Sequence, residues 1–404
     1  MGKGSSEEKC LKYLNILCNE ITGRSVGSRG NRQATEFFEN EISSFGWKTF
    51  RQEFDAIDWK EDGAVLTACG SEFCAFPSPY SNGCEVEAEL SAVSTVGELE
   101  KLDGRGKIIL LHGEIAKEQI MPKNFVFYNP EEHKKIVSLL EKSGAETLIC
   151  ATGRNSSLAG GLYPFPLIED GDFDLPSVFT TDAEGERLLN FRGREVYLHS
   201  NCRRAASKGY NISARKGAEG SSRIVVTAHI DAKQGTPGAI DNATGVAVLL
   251  LLASLLKDYK GEKEIEIVAF NGEDYYAVPG QMKYIEKNLG QFEKISLEIN
   301  IDGAGYIEGD SAYSFYNVPE ELIRKAESVF SGFEGLRRGV SWPQGDHSIF
   351  VQFGCPAVAL SSKWLTDNMD KQDITHTKKD NLEIVDPGKL VTLSEALMKL
   401  IMAI

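Results

Sequence analysis

Arg223-Ile-Val-Val-Thr-Ala-His229 and Glu264-Ile-Glu-Ile-Val-Ala-Phe270 are two short β-branched runs, and Ile295-Ser-Leu-Glu-Ile-Asn-Ile-Asp302 is a third. An apolar segment with helical character, Val246–Leu256, separates the first two runs. Strands that are apolar throughout and alternate with helices are typical of a mostly parallel sheet that is covered on both faces. This stretch therefore predicts an α/β fold with three layers, in which a mixed, mostly parallel sheet lies between helices.

Side chains that can bind a metal follow the ends of these strands. They are His229, Asp241 before the helix, Glu273 and Asp274 after the second strand, and Asp302 after the third. Ligands of open α/β sheets bind beyond the carboxyl ends of the strands, so we expect these side chains to converge. Carboxylates that crowd together repel one another unless a cation lies between them. An imidazole in such a group favours a transition metal, most often zinc.

A second imidazole is available late in the chain, in Thr375-His376-Thr-Lys-Lys-Asp380. Two histidines and three carboxylates are enough for two metal ions that share one carboxylate, and Glu273 is then left as a base. Each motif alone is weak evidence, since an aspartate before a helix, such as Asp241, is more commonly an N-cap. The prediction rests on the joint order of the motifs.

That order resembles the co-catalytic di-zinc exopeptidases of metallopeptidase family 28, a group with leucine-type aminopeptidases and glutamate-carboxypeptidase-like enzymes. The resemblance is strong from about Lys208 to the C-terminus and implies the zinc-exopeptidase (phosphorylase/hydrolase-like) fold. The motifs that carry it are His229-x-Asp231, Asp241-Asn-Ala-x-Gly245, Gly272-Glu273-Asp274, Asp302-Gly303, Asp346-His347 and His376-Thr-x-x-Asp380.

The resemblance implies a ligand set for two zinc ions, although other divalent metals can serve in such sites. It assigns His229 and Asp302 to one ion and Asp274 and His376 to the other. Asp241 is implied as the carboxylate that bridges the two ions.

The resemblance also implies the catalytic groups. Glu273 is expected to be the general base for a metal-activated water, and Asp231 is expected to orient His229. Asp346 and His347 resemble a segment that lines the substrate pocket in the family. The implied activity is that of an aminopeptidase, which hydrolyses the first peptide bond of a peptide with a free N-terminus.

Two positions depart from the family pattern. Most relatives have glutamate where Asp274 stands, and aspartate is one methylene shorter, so the second metal is expected to bind differently or more weakly. Many relatives place tyrosine, which helps to stabilise the oxyanion, where this chain has Thr375. Tyr275 or Tyr276 is a candidate substitute, although packing is the simpler interpretation of both.

Three alternatives stay open at this point. A single-zinc acyltransferase of the glutaminyl-cyclase type would lose one histidine–aspartate set, and both sets are present here. A glutamate-type carboxypeptidase needs arginines for the substrate carboxylates, and Arg337 and Arg338 could serve. A receptor-like member without activity would lack ligands or the base Glu273.

At 404 residues the chain is long for one domain. The composition changes near Glu85, and the following pattern of strands and helices resembles the protease-associated domain that is often inserted in this family. The expected division is 1–84 and 202–404 for the peptidase domain and 85–201 for an inserted, β-rich domain. The inserted domain is expected to act as a lid or as a wall that selects the substrate. Gly153 to Pro164 is expected to be a flexible loop of the inserted domain.

Nearer the N-terminus, two helices are predicted between Ser6 and Phe45. The turn between them, Gly23-Arg24-Ser-Val-Gly27-Ser, resembles a family element near the site, although a plain helix connection is the simpler interpretation. A hairpin of two strands is predicted from Trp47–Asp58 and Ala64–Phe76.

Composition excludes several classes of partner. The formal charge of −15 argues against nucleic acid, whose phosphates require basic patches. No apolar run approaches the length of a membrane span, and the N-terminus lacks an apolar signal segment. The eight cysteines form no C-x-x-C pair, so we expect reduced, mostly buried thiols in a cytoplasmic protein.

Overall fold

The computed structural model describes residues 3–154 and 161–404. The middle of the predicted flexible loop, residues 155–160, lies outside the described residues. The helices are α1 (Lys3–Asn15), α2 (Arg29–Ser44), α3 (Val96–Leu99), α4 (Glu131–Lys142), α5 (Asp182–Leu189), α6 (Thr244–Leu255), α7 (Pro279–Asn288), α8 (Glu320–Phe330), α9 (His347–Gln352), α10 (Lys363–Asp367) and α11 (Pro387–Ala403). The strands are β1 (Lys48–Ala68), β2 (Ser71–Phe73), β3 (Phe76–Pro77), β4 (Cys84–Val93), β5 (Lys107–Leu111), β6 (Thr147–Thr152), β7 (Ser177–Thr181), β8 (Glu195–Gly217), β9 (Arg223–His229), β10 (Glu264–Phe270), β11 (Ile295–Ile301), β12 (Ser311–Tyr316), β13 (Leu336–Arg338) and β14 (Ala357–Ser362).

The chain divides into two units. The first consists of Met1–Ala56 and Lys208–Ile404, and the second of Ile57–Ser207. The second unit is therefore an insertion into the first. The borders between the units lie at 56/57 and 207/208, whereas the sequence placed them at 84/85 and 201/202.

The sheet of the first unit has the strand order β13-β12-β14-β11-β9-β10-β8. Strand β9 is parallel to both of its neighbours, β10 and β11, and β11 is parallel to β14. Strand β8 pairs antiparallel with β10, and β12 pairs antiparallel with β14. The predicted α/β fold with a mixed, mostly parallel sheet is confirmed.

Helices cover both faces of this sheet. Helix α6 is buried from Thr244 to Ala253, as its unbroken apolar sequence requires, and it packs with α1, α2 and α11 on one face. On the other face, Phe270 packs against Tyr284 and Phe350, with ring centroids 5.1 and 6.4 Å away. Each fully buried apolar side chain contributes roughly 1.5–3 kcal/mol to folding, so the sheet edge that carries the site is held from both sides.

The predicted hairpin of Trp47–Asp58 with Ala64–Phe76 is wrong. Strand β1 continues without a break from Lys48 to Ala68, and the hairpin forms later, between β1 and β2. The turn consists of Cys69 and Gly70, whose φ angles are 49° and 82°. Positive φ at both central residues matches the right-handed twist of the two strands.

The second unit contains the strands from β2 to β7. Strands β4, β5, β6 and β7 are parallel in that order, and β3 is antiparallel to β7. The N-terminal half of β8 pairs antiparallel with β4. Helices α4 and α5 flank the sheet, and buried apolar clusters lie on its faces.

All eight cysteines are free thiols. Cys10, Cys150 and Cys355 are buried, whereas Cys69 and Cys74 are exposed. The expectation that most of them are buried is therefore wrong. Among the residues that the structure describes, no helix has both the length and the apolar character needed to cross a membrane.

Candidate metal centre

The predicted convergence of side chains at one sheet edge is present in the structure. His229 is the last residue of β9, and Asp302 follows directly after β11. The loop after β10 carries Glu273 and Asp274. Because β9, β10 and β11 are adjacent and parallel, their carboxyl ends lie side by side.

Asp241 lies between the two histidines. One of its carboxylate oxygens, Oδ1, is 3.1 Å from Nε2 of His229, and the other, Oδ2, is 3.1 Å from Nε2 of His376. His376 comes from a distant loop and has a φ angle of 62°. One carboxylate thus presents a separate oxygen to each of two imidazoles.

A second carboxylate accompanies each histidine. Asp302 Oδ1 is 3.7 Å from Nε2 of His229, and Asp274 Oδ1 is 3.1 Å from Nε2 of His376. The other oxygen of Asp274 accepts a hydrogen bond of 3.2 Å from the backbone N–H of Lys233. Although it is shorter than glutamate, Asp274 reaches the second imidazole.

The donor set fits a metal better than a hydrogen-bonded ion pair. Both ring nitrogens of His229 are buried, and neither has a partner in hydrogen-bond geometry among the described residues. Two ligand atoms about 2.1 Å from a tetrahedral zinc lie about 3.4 Å apart, and the distances of 3.1–3.7 Å around the imidazoles bracket this value. Ligand atoms of His229, Asp241 and Asp274 all lie within 4.8 Å of one another.

The electrostatics of the centre also favour a cation. Burial opposes the imidazolium forms of His229 and His376, but the neighbouring carboxylates outweigh it and raise both pKa values well above their ordinary range. Burial and the charges of Asp241 and Asp274 together raise the pKa of Asp302. The centre therefore holds protons that a metal ion would displace.

Glu273 is partly exposed beside this centre. Desolvation raises its pKa well above the ordinary value, and the carboxylates of Asp274, Asp302 and Asp346 raise it further. A carboxylate with a raised pKa can take a proton at neutral pH and then release it.

Asp231 makes contacts that the sequence did not predict. Its carboxylate accepts hydrogen bonds from the backbone N–H groups of Gly272, at 2.7 Å, and of Asp274, at 3.0 Å. Its distance to Nδ1 of His229 is 3.8 Å, beyond hydrogen-bond reach. Asp231 therefore holds the loop that carries Glu273 and Asp274, and its predicted role in orienting His229 stays a prediction.

Asp346 and His347 are buried. Asp346 accepts a hydrogen bond of 2.9 Å from Gln281, and burial raises its pKa to about 7. Burial lowers the pKa of His347 to about 4, and its Nε2 lies 3.1 Å from the carbonyl oxygen of Trp342. His347 is thus a neutral imidazole, with its ring centroid 4.5 Å from that of Tyr316.

The two candidate oxyanion tyrosines are also buried. Tyr275 is 3% exposed and Tyr276 8%, and their ring centroids are 4.5 Å apart. Thr375 accepts a hydrogen bond of 2.6 Å from Gln372. The role of Tyr275 at the site stays a prediction.

Arg337 and Arg338 lie away from the centre. They are on β13, the outer strand of the sheet, four strands from β9, which corresponds to about 19 Å at the usual spacing of strands. Arg337 pairs with Asp310 at 3.2 Å, and Arg338 pairs with Glu327 at 3.0 Å. They are not placed to bind a carboxylate of a substrate at the centre.

The loop around Asp241 contains groups to which the sequence gave no role. Asn242 donates a hydrogen bond of 2.8 Å to the carbonyl oxygen of Ile301 and accepts one of 2.9 Å from Gly245. Arg24 and Asp380 are also buried and contact this loop. Arg24 and Asp380 could have been predicted from the sequence only through two short motifs, Gly23-Arg24 and His376-Thr-x-x-Asp380.

Comparisons with known proteins find relatives that are named as peptidases. A sequence model described as Peptidase family M28 matches residues 211–401. The aminopeptidase YwaD of Bacillus subtilis (strain 168) is 25% identical over 264 residues, which are 62% of this chain and 55% of that protein. Carboxypeptidase Q of Mus musculus is 20% identical over 426 residues, covering 96% of this chain and 83% of that protein. The match thus spans about half of the length of YwaD.

Solved structures share the fold. BSAP, a zinc aminopeptidase from Bacillus subtilis, superimposes with a TM-score of 0.75 at 17% identity, over 98% of this chain and 94% of that one.

Proposed function

The model of Peptidase family M28 matches residues 211–401, and from that premise we propose that this chain is a zinc-dependent aminopeptidase of that family. The observation that carries the proposal is the position of Asp241, whose two oxygens each lie 3.1 Å from a different imidazole. A single ion does not require a carboxylate that is shared in this way, whereas two ions do.

Two ions would be held by these residues in two sets. His229, Asp302 and one oxygen of Asp241 form the first set, and His376, Asp274 and the other oxygen of Asp241 form the second. When bound, zinc lowers the pKa of a coordinated water toward neutrality and polarises a carbonyl group.

The protein's own contribution to the reaction centres on Glu273. Its raised pKa suits a base that takes the proton of the attacking water and delivers it to the leaving amine. Asp231 supports this role, because it fixes the backbone on either side of Glu273 through Gly272 and Asp274. The base thereby keeps its position next to the ligands without being one of them.

The direction of attack is proposed from the relatives, since YwaD and the zinc enzyme BSAP are both named as aminopeptidases. Carboxypeptidase action is the second candidate, because a relative that spans nearly the whole chain is named carboxypeptidase Q. The absence of Arg337 and Arg338 from the centre weighs against a glutamate-type pocket.

We also propose that the inserted unit, Ile57–Ser207, serves as a protease-associated domain with a lid-like role, as its sequence pattern indicates. The protein works in the cytoplasm with its cysteines reduced.

The test combines a metal count with two matched substrates. Mass spectrometry of the metals should give two zinc ions per chain, and amino-acid p-nitroanilides should be hydrolysed only when their amino group is free. The N-acetylated p-nitroanilide is the control. Release of a C-terminal residue from N-blocked peptides, with no hydrolysis of free-amino substrates, would establish the carboxypeptidase instead. A panel of N-terminal side chains then defines the specificity.

A further inference from the structure

The segment Gly238–Asp241 brings the shared carboxylate to the centre. It has no strand or regular helix of its own, since Asp241 and Asn242 have non-helical backbone angles. Its carbonyl oxygens and N–H groups must therefore be satisfied by other parts of the chain. Two buried ionisable side chains supply those partners from either end of the sequence.

Arg24 binds the carbonyl side. It is 2% exposed, and its guanidinium donates to four backbone carbonyl oxygens. The acceptors are those of Leu17 at 2.7 Å, Ile230 at 3.0 Å, Pro237 at 2.8 Å and Gly238 at 2.7 Å. One side chain thus ties the N-terminal segment, the end of β9 and the Gly238–Asp241 segment together.

Asp380 binds the amide side. It is fully buried, and its two oxygens accept hydrogen bonds from the N–H of Ile240 at 2.6 Å and the N–H of Asp241 at 3.1 Å. The backbone carbonyl of Asp380 also accepts from Ala239 at 3.3 Å. The carboxyl oxygens of Asp380 therefore meet donors, just as the guanidinium of Arg24 meets acceptors.

Gly238 shows how closely the guanidinium approaches. Its φ angle is 60°, and a Cβ at this position would lie 2.8 Å from Nη2 of Arg24 and 2.6 Å from the Cβ of Ala232. Only glycine combines this conformation with this contact.

We propose that Arg24 and Asp380 form a two-sided clamp that positions Asp241 between His229 and His376 and thereby sets the affinity for the metal pair. The proposal rests on the function proposed above. Metal–ligand distances tolerate only about 0.2 Å, so equal distances of 3.1 Å from Asp241 to both imidazoles require a loop that cannot move. Burying ionisable side chains is costly unless they are hydrogen-bonded. Asp380 has its partners on this loop, and Arg24 binds this loop as well as Leu17 and Ile230.

Arg24 and Asp380 are positioning residues, so the test measures metal binding as well as activity. The variants are Arg24→Lys, which keeps the charge but not the planar fork, and Asp380→Asn, which keeps the shape but not the charge. We expect each to weaken zinc binding about 10- to 100-fold in chelator competition. We also expect a changed visible spectrum in the cobalt-substituted protein.

The chain offers a matched control for each variant. Asp170 in the second unit is also buried and accepts two backbone N–H groups, from Lys123 at 2.6 Å and Asp172 at 2.8 Å, so Asp170→Asn removes the same kind of bonds elsewhere. Arg223→Lys is the control for Arg24→Lys, because it removes the guanidinium of another buried arginine, which pairs with Glu266 at 2.5 Å. These controls should lower the melting temperature but leave zinc affinity within about two-fold.

The outcomes distinguish failure of the proposed clamp from failure of the proposed zinc-dependent function. If the wild type binds no zinc, the proposed function fails. If the wild type binds two ions and both clamp variants bind them with the same affinity and the same cobalt spectrum, the clamp is refuted. If Arg24→Lys does not fold, Asp380→Asn, which retains one acceptor and the packing volume, decides the question alone.

Discussion

Replacement of Glu273 by glutamine tests the proposed mechanism most directly. Glutamine has the same shape but cannot take a proton, so the variant removes the base and little else. A general base contributes typically 10²–10⁴-fold to a rate, which corresponds to about 3–5 kcal/mol of the activation barrier. We expect kcat to fall by that factor.

The structure also predicts what Glu273→Gln leaves unchanged. Glu273 belongs to neither of the two proposed ligand sets, so zinc content should stay at two ions per chain. The folded state raises the pKa of Glu273 above its unfolded value, so the ionised side chain destabilises the metal-free protein at neutral pH. A neutral glutamine removes this effect, and the melting temperature of the metal-free protein should therefore stay the same or rise.

The assay is steady-state hydrolysis of an amino-acid p-nitroanilide with zinc content measured on the same sample. Glu298→Gln is the matched control, because Glu298 is a fully buried glutamate on β11 whose pKa burial also raises. It should keep kcat within a few-fold of the wild type. Hydrolysis near the wild-type rate by Glu273→Gln with both ions bound would refute the assignment of the base, and loss of zinc would instead make Glu273 a ligand.

Three further predictions follow from the same geometry. Asp241→Asn should reduce the zinc content from two ions per chain to one or fewer, measured by metal mass spectrometry, because each carboxylate oxygen faces a different imidazole. The metal-free protein should lose stability as the pH rises above about 6.5, since the carboxylates outweigh burial and raise the folded-state pKa values of His229 and His376 above the unfolded value; zinc should reverse this trend in thermal unfolding, because its ligands must be deprotonated. The double variant Arg337→Ala, Arg338→Ala should leave kcat/KM within about two-fold, whereas a large loss on acidic substrates would restore the carboxypeptidase hypothesis.

The location of the centre was predictable from the sequence. His229 and Asp302 end neighbouring apolar strands, and the carboxyl ends of adjacent parallel strands must lie at the same edge of a sheet. Composition was sufficient for this, because helix α6 is apolar from Val246 to Ala253 and the three strands are rich in β-branched residues. The same local signals misplaced the hairpin, because β1 continues through residues 59–63, which lie between the two predicted strands.

By itself, then, the sequence determined the α/β class, the mostly parallel sheet and the residue types that meet at the strand ends. Only the tertiary structure decided that each oxygen of Asp241 faces its own imidazole and that Asp231 binds backbone N–H groups. It also decided that Arg24 and Asp380 enclose one loop, through contacts 214 and 140 residues apart in the chain. The physical reason is range: hydrophobic periodicity is set by neighbours along the chain, whereas a buried charge takes whichever polar groups the packed core brings within about 3 Å of it.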